Sequence, residues 1–262
     1  MEKDLKNKLL KHIKDKTGYL EELKMGNTFL KAGWDVQHSN YYLDRDEEKG
    51  REIDISARKS IVFKNSSKEE YRLGLRLVCE VKKSVENHWI IFSTKKSHYE
   101  EGWLGFALYY KYGIENDLED KIKMGVDRSS SIDEFSRIGI TYCEAFNDHS
   151  QIFKALTSAT KASEYFLMIR EKNYLVNALC PKTIEFIEPT VIFKGLMYEA
   201  YFNEKNKLEL NEINHIPVLF NYISPNYNRS NYLIDVVTTK ELPKLLASKE
   251  KWINAIKKIM QE

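Results

Sequence analysis

The chain has 262 residues, of which 42% are hydrophobic and 31% charged, and its 41 Lys and Arg stand against 39 Asp and Glu for a net charge of +2. The hydrophobic share allows a sizeable core in one large α/β domain or in a core carrying an insertion. The near balance of charge excludes a strongly basic nucleic-acid coat, and no run approaches the ~18 apolar residues of a membrane span. Residues 1–6 (MEKDLK) lack the apolar region of a signal peptide. Cys79, Cys143 and Cys180 form no C-x-x-C and no Cys/His ligand spacing. They read as small buried hydrophobes in a reducing compartment, and a cytoplasmic location is expected.

In chain order, residues 3–15 read as a lysine-rich amphipathic helix with Leu5, Leu9, Leu10 and Ile13 on one side. Gly18 breaks it, and a second helix is expected to place Leu20, Leu23 and Leu30 against the core and to stop at Gly33. Trp34 to Leu43 predicts a first strand, and the charged stretch 44–50 a hairpin loop. Gly50 to Ala57 and Tyr71 to Lys83 alternate as half-buried strands. Residues 84–145 read as an insertion rich in helix. It would hold a short strand at Trp89–Phe92, helically spaced aromatics Trp103, Phe106, Tyr109 and Tyr110, an exposed loop from Lys121 to Ser136, and a strand at Ile138–Cys143. Ile152, Phe153, Leu156, Ala159, Ala162, Phe166 and Ile169 predict a core helix. Glu188–Gly195 predicts a central strand led by Pro189, with Leu196–Phe202 folding back on it as a hairpin. Two further strands are expected at Ile216–Tyr222 and Tyr232–Thr238, then a last helix at about 239–260.

The chemistry concentrates in the two alternating strands. Ile53, Ile55 and Ala57 share one side, leaving Asp54 on the other. Tyr71, Leu73, Leu75, Leu77, Cys79 and Val81 share one side, so Glu80 and Lys82 project together from the opposite side. If these strands are neighbours, Asp54, Glu80 and Lys82 form a cluster of two acids and an amine. Two carboxylates on rigid strands suit a hard cation, Mg²⁺ or Mn²⁺, and a nearby lysine suits a water or a developing phosphate charge. That is the logic of metal-assisted phosphodiester hydrolysis. The competing reading is an ordinary strand with its charged face in water, because Glu-x-Lys recurs by chance in so charged a chain.

Asp54, a gap of 25 residues, and then Glu80-Val81-Lys82 resembles the PD-(D/E)XK nuclease superfamily, the restriction-endonuclease-like fold. The resemblance implies a mixed central sheet flanked by helices. Its core would be a helix at about 17–32, strands at about 34–43, 51–58 and 71–83, and then a later helix and strand. It implies that Asp54 and Glu80 bind the metal, that the backbone carbonyl of Val81 helps, and that Lys82 assists the attacking water. An acid on the first helix often joins such a set, and Glu22 is the match. The residue before Asp54 is Ile53 where the family pattern has proline. The resemblance thus implies a single domain spanning 1–262 that acts as a Mg²⁺-dependent deoxyribonuclease. DNA is favoured over RNA, a homodimer is compatible, and restriction, phage defence or repair is the context the family suggests. No protein partner and no membrane are indicated. The alternative is a nuclease fold with a vestigial site that binds a partner protein or nucleic acid, against which the intact Asp54, Glu80 and Lys82 set argues.

Other chemistries lack a signal. The chain contains no G-x-x-x-x-G-K-[ST], no G-x-G-x-x-G and no G-x-S-x-G. His98 and His149 could be site neighbours only if the fold brings them there. Asp235, an acid inside the apolar run Leu233–Val237, is expected in a buried network with a lysine rather than on a partner surface.

Overall fold

The structure is a computed structural model that describes residues 2–16, 18–84, 86–96, 107–129, 135–146, 151–174 and 181–262. Two helices lead, α1 (Glu2–Lys16) and α2 (Tyr19–Lys31). Gly33 then takes φ +75°, a conformation that costs glycine little, and turns the chain into the sheet. Strands β1 (Asp35–Asp44), β2 (Lys49–Lys64) and β3 (Glu70–Lys83) form an antiparallel meander. Next come β4 (Trp89–Lys95), β5 (Leu108–Tyr112), α3 (Asn116–Ser129), β6 (Arg137–Glu144) and the long helix α4 (Gln151–Tyr174). The chain ends with β7 (Lys182–Lys194), β8 (Met197–Phe202), β9 (Leu208–Ile213), β10 (His215–Asn221), β11 (Asn231–Thr238) and α5 (Leu242–Gln261).

One mixed sheet holds all these strands, in the order β1-β2-β3-β7-β11-β10-β6-β4-β8-β9, with β5 also on β7. Strand β7 is its centre. It is buried almost throughout, as a parallel strand covered on both faces must be. It runs parallel to β3 from Tyr71↔Lys182 to Lys83↔Lys194. Its other edge is shared: β5 pairs residues 183–187 and β11 pairs residues 190–193. Pro189 therefore lies mid-strand rather than at the strand's start. It falls in the gap between those two partners, where the edge forms no ladder for it to interrupt.

The alternation of β3 divides the core. Leu73, Leu75, Leu77 and Cys79 join Met25 and Phe29 of α2 and Trp252 and Ile253 of α5 on one face. Val78 lies on the other face with Leu156 and Ala159 of α4 and with Val191 and Phe193 of β7. Helix α4 thus packs on β3 and β7 between meander and centre, as its apolar spacing predicts.

Several expectations fail where long-range pairing outweighs local pattern. The segment 84–145 is not rich in helix, because β4, β5 and β6 all enter the sheet and only α3 is helical among its described residues. Tyr109 and Tyr110 belong to β5, recruited by the open edge of β7, not to an aromatic helix. Trp103, Phe106, His98, His149 and Cys180 lie outside the described residues. The loop expected from Lys121 is helical as far as Ser129. Strand β8 does not return on β7; it pairs with β4 and β9. Cys143 is exposed, while Cys79 is buried. In α2 the expected apolar face points outward: Leu23 and Leu30 are exposed, and Leu20 is half-buried. The leucines of α1 and its Ile13 are exposed as well.

Candidate functional site

The site arises where β2 parts from β3. Their ladder begins at Ile55↔Cys79, so β3 runs on through Glu80, Val81 and Lys82 with β7 as its strand partner. On the other side of β2, the pairing with β1 skips Ser39 and Asp54, and Ser39 takes a positive φ of 51°. Freed from both ladders, Asp54 turns its carboxylate onto β3. Its Oδ2 accepts the backbone N–H of Val81 at 2.7 Å. The side chain of Asp54 thereby replaces the missing β2 backbone acceptor.

Glu80 and Lys82 project from one side of β3, as alternation requires, and Val81 is buried against the opposite core. The Lys82 ammonium donates to Glu80 Oε2 and lies 3.9 Å from Asp54 Oδ2. Glu80 is only 4% exposed. Burial pushes its carboxyl up to about 7; the Lys82 charge opposes this and the Asp54 charge adds to it. For Lys82, burial works to lower the pKa, but the charges of Glu80 and Asp54 outweigh it and raise it.

Glu22 completes the group from α2. Glu22, Met25, Gly26 and Phe29 fall at i, i+3, i+4 and i+7, one helical face. Met25, Gly26 and Phe29 are buried against the meander, so packing carries Glu22 inward with them. Its carboxyl is raised to about 7, first by burial and then by the charge of Asp54, with Lys82 opposing. Asp54, Glu80, Lys82 and Glu22 thus converge. Two neighbours carry no signal in the sequence. Buried Tyr42 of β1 feels the Glu80 charge, and burial above all raises its hydroxyl to about 12. Glu21 accepts from Lys194 at 3.2 Å and from Lys24 at 2.9 Å. An acid pair at a helix start gives no hint of which member enters the site.

Among the described residues, no group of three or more His, Cys, Asp and Glu side chains stands ready-made around an ion. The donor chemistry nevertheless suits a hard cation. Asp54 and Glu80 lie about one ammonium, the Glu22 carboxyl feels the charges of Asp54 and Lys82, and both Glu22 and Glu80 are pushed up in pKa by burial and by the Asp54 charge, the condition that a divalent cation relieves.

Asp235 is buried within a network, as the lysine pairing predicts. It lies 2.8 Å from Lys249 of α5 and 2.7 Å from His215 Nε2, while Lys249 also reaches Glu188 of β7 at 2.6 Å. These bonds tie α5 to the sheet and are separate from the Asp54 group.

Among the described residues, no helix is long and apolar enough to cross a membrane. Compared with known proteins, the chain matches no family model, no curated protein and no solved structure.

Proposed function

We propose that the chain is a Mg²⁺- or Mn²⁺-dependent nuclease of restriction-endonuclease-like fold that hydrolyses phosphodiester bonds in DNA. The observation that carries this reading is the convergence of Asp54, Glu80, Lys82 and Glu22 at the point where β2 leaves β3. The order of elements supports it: a helix, an antiparallel meander, a helix packed on the sheet, and a strand parallel to the third member of the meander.

Asp54 and Glu80 would hold the cation, with the Val81 carbonyl beside them and Glu22 as accessory ligand or base. A divalent cation so held supplies Lewis acidity toward a phosphoryl oxygen and acidifies water. The protein's own groups do the rest. The Val81 amide fixes the Asp54 carboxylate, which keeps one ligand oriented before anything binds. Lys82 orients the attacking water or meets the charge that builds on phosphate in the transition state. Glu22, raised to about 7, is poised to take a proton near neutral pH.

The direct test is supercoiled plasmid DNA incubated with Mg²⁺ or Mn²⁺. Nicking or linearisation by the wild type, abolished in Asp54→Ala and Glu80→Ala, is expected. Equal cleavage by all three proteins, or none by any, rejects the reading.

A further inference from the structure

On the side of the sheet that faces α4, one buried carboxylate gathers three guanidiniums. Glu185 of β7 is fully buried. Its two oxygens accept from Nε and Nη2 of Arg58, each at 3.1 Å. Arg76 Nε lies 3.4 Å from Glu185 Oε1, and Arg170 Nε of α4 lies 3.1 Å from Oε2. Strand β3 stands between β7 and β2, and Glu185 crosses it at Gly74, its register partner. A Cβ on Gly74 would come within 3.1 Å of Glu185 Cγ, so the glycine supplies the room for that crossing.

Charge does not balance in this cluster. Among the described residues, Glu185 is the one acid within ion-pair reach of the three arginines, which leaves two positive charges unmatched. Arg51, by contrast, has two acids, Asp44 and Glu47, and Arg137 has Glu199. Burial pulls the Arg76 guanidinium below its usual pKa; the Glu185 charge opposes this, and the charges of Arg170 and Arg58 add to it. Like charges gathered in this way cost stability through repulsion, and an anion removes that cost.

Hydrogen-bonding capacity is in surplus as well. Three guanidiniums offer far more N–H donors than the roughly four acceptor sites of one carboxylate. Besides Glu185, they have one further acceptor among the described residues, Ser56 Oγ at 2.9 Å from Arg76 Nη1. None of their nitrogens is a buried atom left without a partner, and their side chains are 11%, 23% and 24% exposed for Arg76, Arg170 and Arg58. The remaining N–H groups therefore reach solvent from a partly desolvated setting, where a guanidinium fork holds an oxyanion strongly.

The cluster is separate from the Asp54 group. Arg76 and Glu80 share a side of β3, but Val78 between them is fully buried in the core that includes Leu156 and Ala159 of α4. We propose that the three arginines bind a phosphate monoester, carried by a nucleotide or by the end of a nucleic-acid strand. Charge selects this class. A monoester carries about −1.5 to −2 at pH 7, which meets the surplus, whereas a backbone diester carries a single charge. The inference stands independently of the nuclease reading.

The test is calorimetric titration of the full chain in EDTA, which keeps divalent cations from the Asp54 group. The probes are inorganic phosphate, a nucleoside 5′-monophosphate, and one oligonucleotide with either a 5′-phosphate or a 5′-hydroxyl. Saturable binding of the monoester probes is expected, with affinity lower by about tenfold or more in the double variant Arg58→Gln/Arg170→Gln. Arg58→Lys keeps the charge but loses the fork, and it should weaken binding by a smaller factor. That single variant decides the matter if the double variant does not fold. Tighter binding of the nucleotide than of the phosphorylated strand assigns a small ligand. Tighter binding of the phosphorylated strand than of the nucleotide and the 5′-hydroxyl strand assigns a strand end. The proposal falls if no monoester probe binds the wild type saturably, or if the variants bind as the wild type does. It falls too if the two oligonucleotides bind equally while phosphate and nucleotide do not bind.

Discussion

The Asp54 carboxylate and the Val81 amide, 2.7 Å apart, hold the candidate site together across a gap in the sheet. The bond lets β3 extend its last residues beyond β2 without leaving a buried N–H unpaired, and it fixes an acid beside Glu80 in the same step. Asp54→Asn retains an oxygen acceptor for that amide, whereas Asp54→Ala does not. Both should lose the thermal stabilisation by Mn²⁺, because both remove the charge. Only the alanine variant should also lose on the order of 1–3 kcal/mol of stability without metal, as measured by chemical denaturation. Equal stability of the two variants would show that the bond contributes nothing.

Lys82 separates a nuclease from a fold that merely binds metal. If its charge matters mainly in the transition state, Lys82→Ala should depress kcat by about 10²–10³ and leave the Mn²⁺ thermal shift in place. Lys82→Arg should recover little, because a planar guanidinium does not reproduce a compact ammonium donor. Plasmid cleavage at the wild-type rate by Lys82→Ala would exclude this role.

Glu22 reaches the site through the packing of α2 rather than through the sheet. Glu22→Gln should reduce cleavage less than Asp54→Ala or Glu80→Ala, since the two strand acids remain. Phe29 is fully buried on the same helical face, and Phe29→Ala should cost ~3–5 kcal/mol. Abolition of cleavage by Glu22→Gln would promote Glu22 to an essential ligand, and an unchanged rate would remove it from the site.

The segment between β5 and β6 supplies a pH test. Glu119 of α3 accepts from Lys111, from the Tyr109 hydroxyl at 2.5 Å and from Lys123 at 3.1 Å. The hydrogen bond from Lys111 above all, then that from Tyr109, lowers its carboxyl to about 2. A folded-state pKa below the unfolded value gives stability that is full above about 4.5 and lost as pH falls toward 2. Glu119→Gln should therefore be less stable than the wild type at pH 7, by on the order of 2 kcal/mol, and the two melting curves should converge by pH 2–3. Parallel pH profiles would contradict the bond pattern.

Lys249 stands between two buried acids, Asp235 and Glu188. Lys249→Met preserves volume but strands both carboxylates, and it should cost roughly 3–5 kcal/mol at neutral pH. Part of that loss should be recovered at lower pH as an acid takes up a proton. A neutral substitution, read by urea denaturation, would show the network to be dispensable.

Period-two alternation is a local property of a strand, so the sequence alone places Glu80 and Lys82 on one side of β3 and Val81 on the other. The same holds for the broad apolar face of α5 and for the covering helix α4, whose patterns leave one way to bury themselves. The rest depended on partners distant in the chain. Tyr109 and Tyr110 form a strand because β7 offers an edge there, and Pro189 is tolerated mid-strand because that edge changes partner at its position. Leu23 and Leu30 make a better hydrophobic stripe on paper than Met25, Gly26 and Phe29. Docking against the meander buries the latter, however, and so turns Glu22 inward. Asp54 was legible as a strand acid, but its bond to Val81 exists only because β2 and β3 diverge at that residue.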